Sequence, residues 1–179
     1  MYMPKTRRAL GALMMLTGLF ACSSSPESAV VQLGRPVSEA QLQGWDLIVM
    51  PDGRGLPAGS GTATQGKAVY DAQCAACHGA NGEGGQGVPA LAGGSTTGTP
   101  PLLTVGSYWP YASTLYDYVR RAMPPTAPKS LSDTEVYQVV AYVLHLGGII
   151  EQDRVLDQNS LPTIAMPNRD GFIDRSQVQ

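Results

Sequence analysis

The chain has 179 residues, a formal net charge of −2, 43% apolar residues and only 15% charged ones. That length suits about one domain. Beyond the first 21 residues Arg120 and Arg121 form the only adjacent basic pair, and this sparse, acidic balance argues against a nucleic-acid partner, which calls for a basic face.

Residues 1–21 read as an export signal, with basic Lys5, Arg7 and Arg8, the apolar run Leu10–Phe20, and small Ala21 before Cys22. The run is too short to span a bilayer, which takes roughly 20 apolar residues. Its end, Leu19-Phe20-Ala21-Cys22, resembles a bacterial lipobox, so Cys22 is expected to be acylated and to anchor an exported lipoprotein on the periplasmic side. Stable anchoring needs more than one acyl chain, a condition that a diacylated or triacylated cysteine meets. Removing the signal leaves nine basic residues against fourteen acidic ones. Residues 22–61 form a Ser-rich tether and an irregular arm. Trp45, Leu47 and Val49 are too apolar for a pure linker, so the arm is expected to pack on the domain or on a partner.

Residues 62–147 are expected to form the domain, opening with an amphipathic helix from Thr62 to Cys77 that carries Gly66, Val69 and Tyr70 on one side. The glycine-rich stretch Gly79–Gly98 cannot be regular structure and is expected to wrap something. Ser113–Ala122 has Leu115, Tyr118, Val119 and Ala122 at helical spacing, and Pro124 then forces Met123 out of the helix into an extended conformation. Ser132 and Glu135 form a capping box for a strongly apolar helix that runs through Leu146 and stops at Gly147-Gly148. Residues 148–179 read as an irregular tail.

Cys74-Ala75-Ala76-Cys77-His78 is the C-x-x-C-H pattern of c-type haem attachment. Two thiols one helical turn apart can reach the two vinyl groups of one porphyrin, and the adjacent histidine is then held under the iron. A thioredoxin-like pair would want a βαβ context, and a zinc site would want two further ligands, whereas only His145 remains as a second histidine. The other ring nitrogen of His78 needs a carbonyl to fix its tautomer, and Pro89 is the candidate. For the sixth ligand the choices are Met50, Met123, Met166, His145 or an open position, and Met123 is favoured because Pro124-Pro125 hold the chain extended there. Tyr108, Trp109 and Tyr111 are either propionate donors or aromatic core, while Arg120 and Arg121 are expected to be a solvated pair, the alternative being that they offset propionate charge. With three cysteines in all, none is left for a structural disulfide, and a covalent haem would supply the missing stabilisation.

From Gly66 onward the positions Gly66, Tyr70, Cys74, Cys77, His78, Gly87, Pro89, Met123 and Tyr142 resemble the class I monohaem cytochrome c domain. The resemblance implies an all-α cytochrome c fold of four to five helices around one covalent haem c, with Gly66 and Tyr70 of the first helix crossing Val139 and Tyr142 of the last. A narrower resemblance, to cytochrome subunits of bacterial sulfite dehydrogenases, is carried by Trp45–Gly61, Thr104–Tyr111, Tyr116-Asp117-Tyr118, Arg120–Pro124 and Met166–Phe172. It implies an electron carrier, with no catalytic residue of its own, that accepts electrons from a molybdenum-cofactor dehydrogenase subunit and passes them to a downstream cytochrome or terminal oxidase. The alternatives are a general shuttle and a haem enzyme or sensor with an open sixth position. The lipid anchor departs from the family's usual form and favours a membrane-tethered relay over a permanent soluble heterodimer.

Overall fold

The computed structural model describes residues 34–42 and 44–173, so the export signal and Cys22 lie outside the described residues. The chain divides into a short unit ending at Gln41 and a unit from Leu42 onward. In the first, Ser38 opens the one-turn helix α1 (Glu39–Leu42) by donating from its N–H and its hydroxyl to Gln41 Oε1, at 3.0 and 3.1 Å.

The second unit runs β1 (Ser60–Gly61), α2 (Ala63–Gln73), α3 (Ala75–His78), α4 (Val105–Tyr108), α5 (Ala112–Ala122), α6 (Asp133–Leu146), β2 (Leu156–Asp157) and a 3-10 turn, Leu161–Thr163. The architecture is all-α with one short antiparallel ladder that pairs Ser60 with Asp157 and Gly61 with Leu156. Of the six helices among the described residues, five, α2 to α6, lie in the expected domain and α1 lies in the arm. The helix expected from Thr62 to Cys77 breaks at Cys74, whose φ of −124° and ψ of −40° end α2 and open α3.

Local chemistry accounts for the helix starts. Thr62 with Gln65, Thr104 with Ser107, and Ser132 with Glu135 each close a reciprocal capping box. At α6 the Ser132 hydroxyl and N–H hold the Glu135 carboxyl below its ordinary range. Helix α5 ends where Met123 turns extended, φ −117° and ψ 143°, ahead of Pro124.

Helix α6 is the spine of the core. Eight of its fourteen residues are buried, from Val136 to Leu144 with only Gln138 partly exposed. A helix so apolar on all sides needs partners on all sides, and α2, α5, β1 and β2 pack around it. Each large apolar side chain buried here contributes roughly 1.5–3 kcal/mol. At the crossing with α2, a Cβ on Gly66 would overlap the Gln138 carbonyl and come within 3.0 Å of Tyr142 Cβ. One turn further along α2, the Tyr70 ring meets Tyr142 at 5.0 Å between centroids. Of the expected set, Tyr142 meets both Gly66 and Tyr70, and the Gln138 backbone is the nearest neighbour of Gly66. Gln138 and Tyr142 lie four residues apart on one helix face, and Val139 is rotated by about 100° from Gln138.

The arm and tail do more than flank. Val49, Leu156, Leu161, Ile164 and Met166 are buried in the same core. The Val49 N–H donates to Asp117 Oδ1 at 2.9 Å, Ser113 Oγ to the Pro51 carbonyl at 3.0 Å, and the Tyr137 hydroxyl to the Pro57 carbonyl at 2.9 Å. Trp45, by contrast, is 84% exposed. Of the expected solvated pair, Arg120 departs: its side chain is only 16% exposed and donates to Asp133 at 2.8 Å and to the Leu47 carbonyl. Arg121 is exposed and forks onto Asp117, four residues earlier on α5. The reason for the departure is that the start of α6 and the arm place a carboxylate and a carbonyl within reach of Arg120.

Replacing Gly66 with Ala puts a methyl group into the Gln138 carbonyl, so urea unfolding should show a loss of about 2–3 kcal/mol. A loss below about 0.5 kcal/mol would mean that the crossing has slack that this packing does not show.

Candidate functional site

The break at Cys74 creates the site. The Cys77 and His78 N–H groups both donate to the Cys74 carbonyl, at 3.1 and 2.9 Å, winding a single turn that sets the two cysteines three residues apart on one face. Both thiols are outside any disulfide; Cys74 is half-buried and Cys77 exposed. Burial, and then the neighbouring Cys77, push the Cys74 thiol up to about 11. A disulfide-exchange pair needs the opposite, a thiol lowered toward neutrality. A zinc site also lacks its donors, because the described residues contain no group of three or more His, Cys, Asp and Glu that could hold a metal ion.

His78 closes α3, and Gly79 follows with φ +80°, a conformation that glycine adopts without strain. The loop then folds back on itself. The Gly84 N–H donates to the His78 carbonyl at 2.7 Å, Gly85 and Val88 bridge, and the Leu91 and Ala92 N–H groups donate to the Gly82 carbonyl at 2.7 and 3.1 Å. This brings the Pro89 carbonyl to 3.1 Å from His78 Nδ1. A carbonyl can only accept, so Nδ1 carries the proton and Nε2 keeps its lone pair free for a metal.

The other candidate residues sit as follows. Met123 is the extended cap of α5, partly buried and packed on the core cluster. Met166 is 3% exposed within the core, and Met50 is exposed in the arm, where its N–H donates to the Arg54 carbonyl at 2.8 Å. His145 is held through Nδ1 by the Ile150 carbonyl at 3.1 Å. Tyr108 stacks edge-on with Phe172 at 5.1 Å, Trp109 with Tyr118 at 5.6 Å, and Arg169 lies over the Tyr111 ring at 5.1 Å. Asn168 Nδ2 donates to the Tyr108 carbonyl at 2.7 Å. The segments around Tyr108 and Met166–Phe172, far apart in sequence, therefore pack together.

Tyr70, expected at the crossing of the first and last helices, has a second contact that sequence reasoning did not find. It is fully buried, and its hydroxyl donates to the Gly79 carbonyl at 2.8 Å. The only sequence signal for that contact is its position four residues before Cys74, on the helix that delivers the motif.

Two unpaired thiols on one face and an imidazole with its outer nitrogen free together fit a covalently attached haem. The family model described as cytochrome c oxidase, cbb3-type, subunit III, matches residues 61–143. A subunit CcoP of the cbb3-type cytochrome c oxidase from Azospirillum brasilense is 39% identical over 48% of this chain and 29% of its own length. The thiosulfate dehydrogenase of Allochromatium vinosum is 34% identical over 44% of this chain and 29% of its own length. The chain thus spans under a third of the curated relatives it matches. The crystal structure of the sulfane dehydrogenase SoxCD from Paracoccus pantotrophus superposes with a TM-score of 0.79 at 40% identity, over 83% of this chain and 74% of that one. The shared fold and the identity over most of both chains, together with the C-x-x-C-H turn, lead to one assignment: the chain belongs to the monohaem cytochrome c family, and its cofactor is covalently bound haem c.

Proposed function

We propose that this protein is a membrane-tethered, single-electron relay that takes electrons from a molybdenum-cofactor dehydrogenase acting on a sulfur substrate and passes them to a downstream cytochrome or terminal oxidase. The observation that carries the choice of partner is the extent of the likeness to the sulfane dehydrogenase structure. It covers 83% of the chain, arm or tail included, whereas the family model stops at residues 61–143.

In this reading Cys74 and Cys77 would hold the haem through thioethers, and His78 Nε2 and Met123 Sδ would ligate its iron. Haem c, when bound, supplies a one-electron Fe(III)/Fe(II) couple. The protein's part is positional. Pro89 holds the imidazole by its Nδ1–H, which raises the basicity of the ligating nitrogen. Pro124 keeps Met123 off the helix, and a methionine–histidine ligand pair raises the reduction potential. Tyr108 and Trp109 serve as hydrogen-bond donors to the propionates, since buried carboxylates need partners. No residue of this chain is assigned a catalytic role.

No helix among the described residues is long and apolar enough to cross a membrane. In this reading the tether is an acylated Cys22, on the strength of the Leu19-Phe20-Ala21-Cys22 lipobox behind the export signal.

Three outcomes follow. Met123→Leu abolishes the low-spin, methionine-ligated haem spectrum and lowers the midpoint potential; an unchanged spectrum removes Met123 as the ligand. Cys22→Ser moves the haem protein from the membrane fraction to the soluble exported fraction, and retention in the membrane would rule out the lipid tether. Affinity purification of the full chain from its host should bring down a molybdenum enzyme and give haem reduction on adding sulfite or thiosulfate. Reduction that occurs equally without a co-purified dehydrogenase would instead indicate a general shuttle.

A further inference from the structure

We propose that Tyr70 is a positioning residue for the haem iron's histidine: its hydroxyl fixes the loop that presents the Pro89 carbonyl to His78. The inference rests on the reading of His78 as an axial ligand and extends it.

The argument follows the hydrogen bonds. Tyr70 is 0% exposed, its ring clamped against Tyr142 at 5.0 Å on the opposite side of the α2–α6 crossing. A ring so held leaves its hydroxyl little freedom, and the hydroxyl donates to the Gly79 carbonyl at 2.8 Å. The Gly82 N–H donates to the same carbonyl, at 3.4 Å. Burial also pushes the phenol up to about 12, so the donor keeps its proton throughout the physiological range. Gly79 and Gly82 bound the first turn of the loop. The Gly82 carbonyl accepts from Leu91 and Ala92, which follow Pro89 by two and three residues, and the Gly84 N–H returns to the His78 carbonyl. The Tyr70 hydroxyl thus anchors one end of a hydrogen-bonded loop whose other end carries the Pro89 carbonyl, 3.1 Å from Nδ1.

Gly79 and Gly82 both have positive φ, +80° and +74°, so the backbone here is flexible unless something holds it. A Phe ring at position 70 would pack against Tyr142 equally well and leave the Gly79 carbonyl without its donor. A looser Nδ1–H···O=C bond makes the imidazole a poorer donor to iron, which favours the ferrous state.

The test is Tyr70→Phe in the full, haem-loaded chain, with Tyr142→Phe as a control that keeps both rings and leaves the Tyr70 hydroxyl in place. Expected for Tyr70→Phe are unchanged haem content, an unchanged low-spin spectrum, a midpoint potential shifted positive, and solvent exchange of the His78 Nδ1 proton faster by about three- to tenfold, the ratio that one lost hydrogen bond is worth. The control should move neither. Unchanged potential and exchange in Tyr70→Phe, with His78 ligation intact, would overturn the positioning role alone. A His78→Ala protein that keeps the wild-type low-spin spectrum would overturn the ligand reading beneath it. Should Tyr70→Phe fail to load haem, amide exchange in the unaltered protein decides. The proposal requires Gly84, Leu91 and Ala92 to be as protected as the middle of α2, and fast exchange at these three amides would overturn it.

Discussion

Helix α2 lies so close to α6 at Gly66 that no side chain fits between Gly66 and the Gln138 carbonyl, and the rest of the site is laid out from that contact. With the two backbones in touch, the next turn of α2 brings Tyr70 onto Tyr142, and the turn after that ends at Cys74. The position of the thiols relative to the core is therefore set by backbone contact rather than by flexible side chains. Interiors packed this densely transmit displacement rather than absorb it. A shift at the crossing would reach Cys74 along α2 and pass to Cys77 and His78 through the single turn that is bonded to the Cys74 carbonyl.

The glycine-rich loop after His78 shows how a segment without regular structure can still be well determined. Its glycines permit left-handed turns, and its own N–H and carbonyl groups close on one another and on the Tyr70 hydroxyl. The result is a backbone carbonyl presented to an imidazole, the type of outer contact that tunes a metal's histidine in many proteins. Flexibility in the sequence is spent on reaching a shape that hydrogen bonds then hold.

The arm and tail are covers for the core as well as extensions of it. Asp117 links the arm to α5 through the Val49 N–H and at the same time receives Arg121, so a carboxylate with little exposure is fully engaged. Leu156 and Leu161 of the tail are completely buried, and the β1–β2 ladder joins arm to tail at the edge of α6. These contacts give the outlying segments a structural role within this chain. Trp45 and Ile48 still point outward from an arm whose backbone is pinned on its inner side.

The amino-acid sequence alone determined the cofactor chemistry and most of the helix limits, because both are written in short range. The thiols and histidine lie within five residues, the Ser132 capping box within four, and the proline that turns Met123 extended is its neighbour. Pro89 was legible as the histidine's partner, since a loop of eleven residues can return to its origin. What needed the tertiary structure was every feature made by residues distant in sequence. The break at Cys74 could not be read from helix-favouring alanines on both sides of it. That the Gln138 backbone is what Gly66 touches depends on the rotation of α6 about its own axis, which its many apolar residues leave open. Arg120 read as solvated because its partners, Asp133 and the Leu47 carbonyl, are brought to it only by the packing of α5, α6 and the arm, whereas the partner of Arg121, Asp117, stands four residues earlier on the same helix. The tail's apolar residues, too irregular in spacing to signal a helix or strand, find their place only because the core offers a surface for them to cover. Local patterning, in short, encodes which groups are available, and the burial of α6 on all sides decides which of them meet.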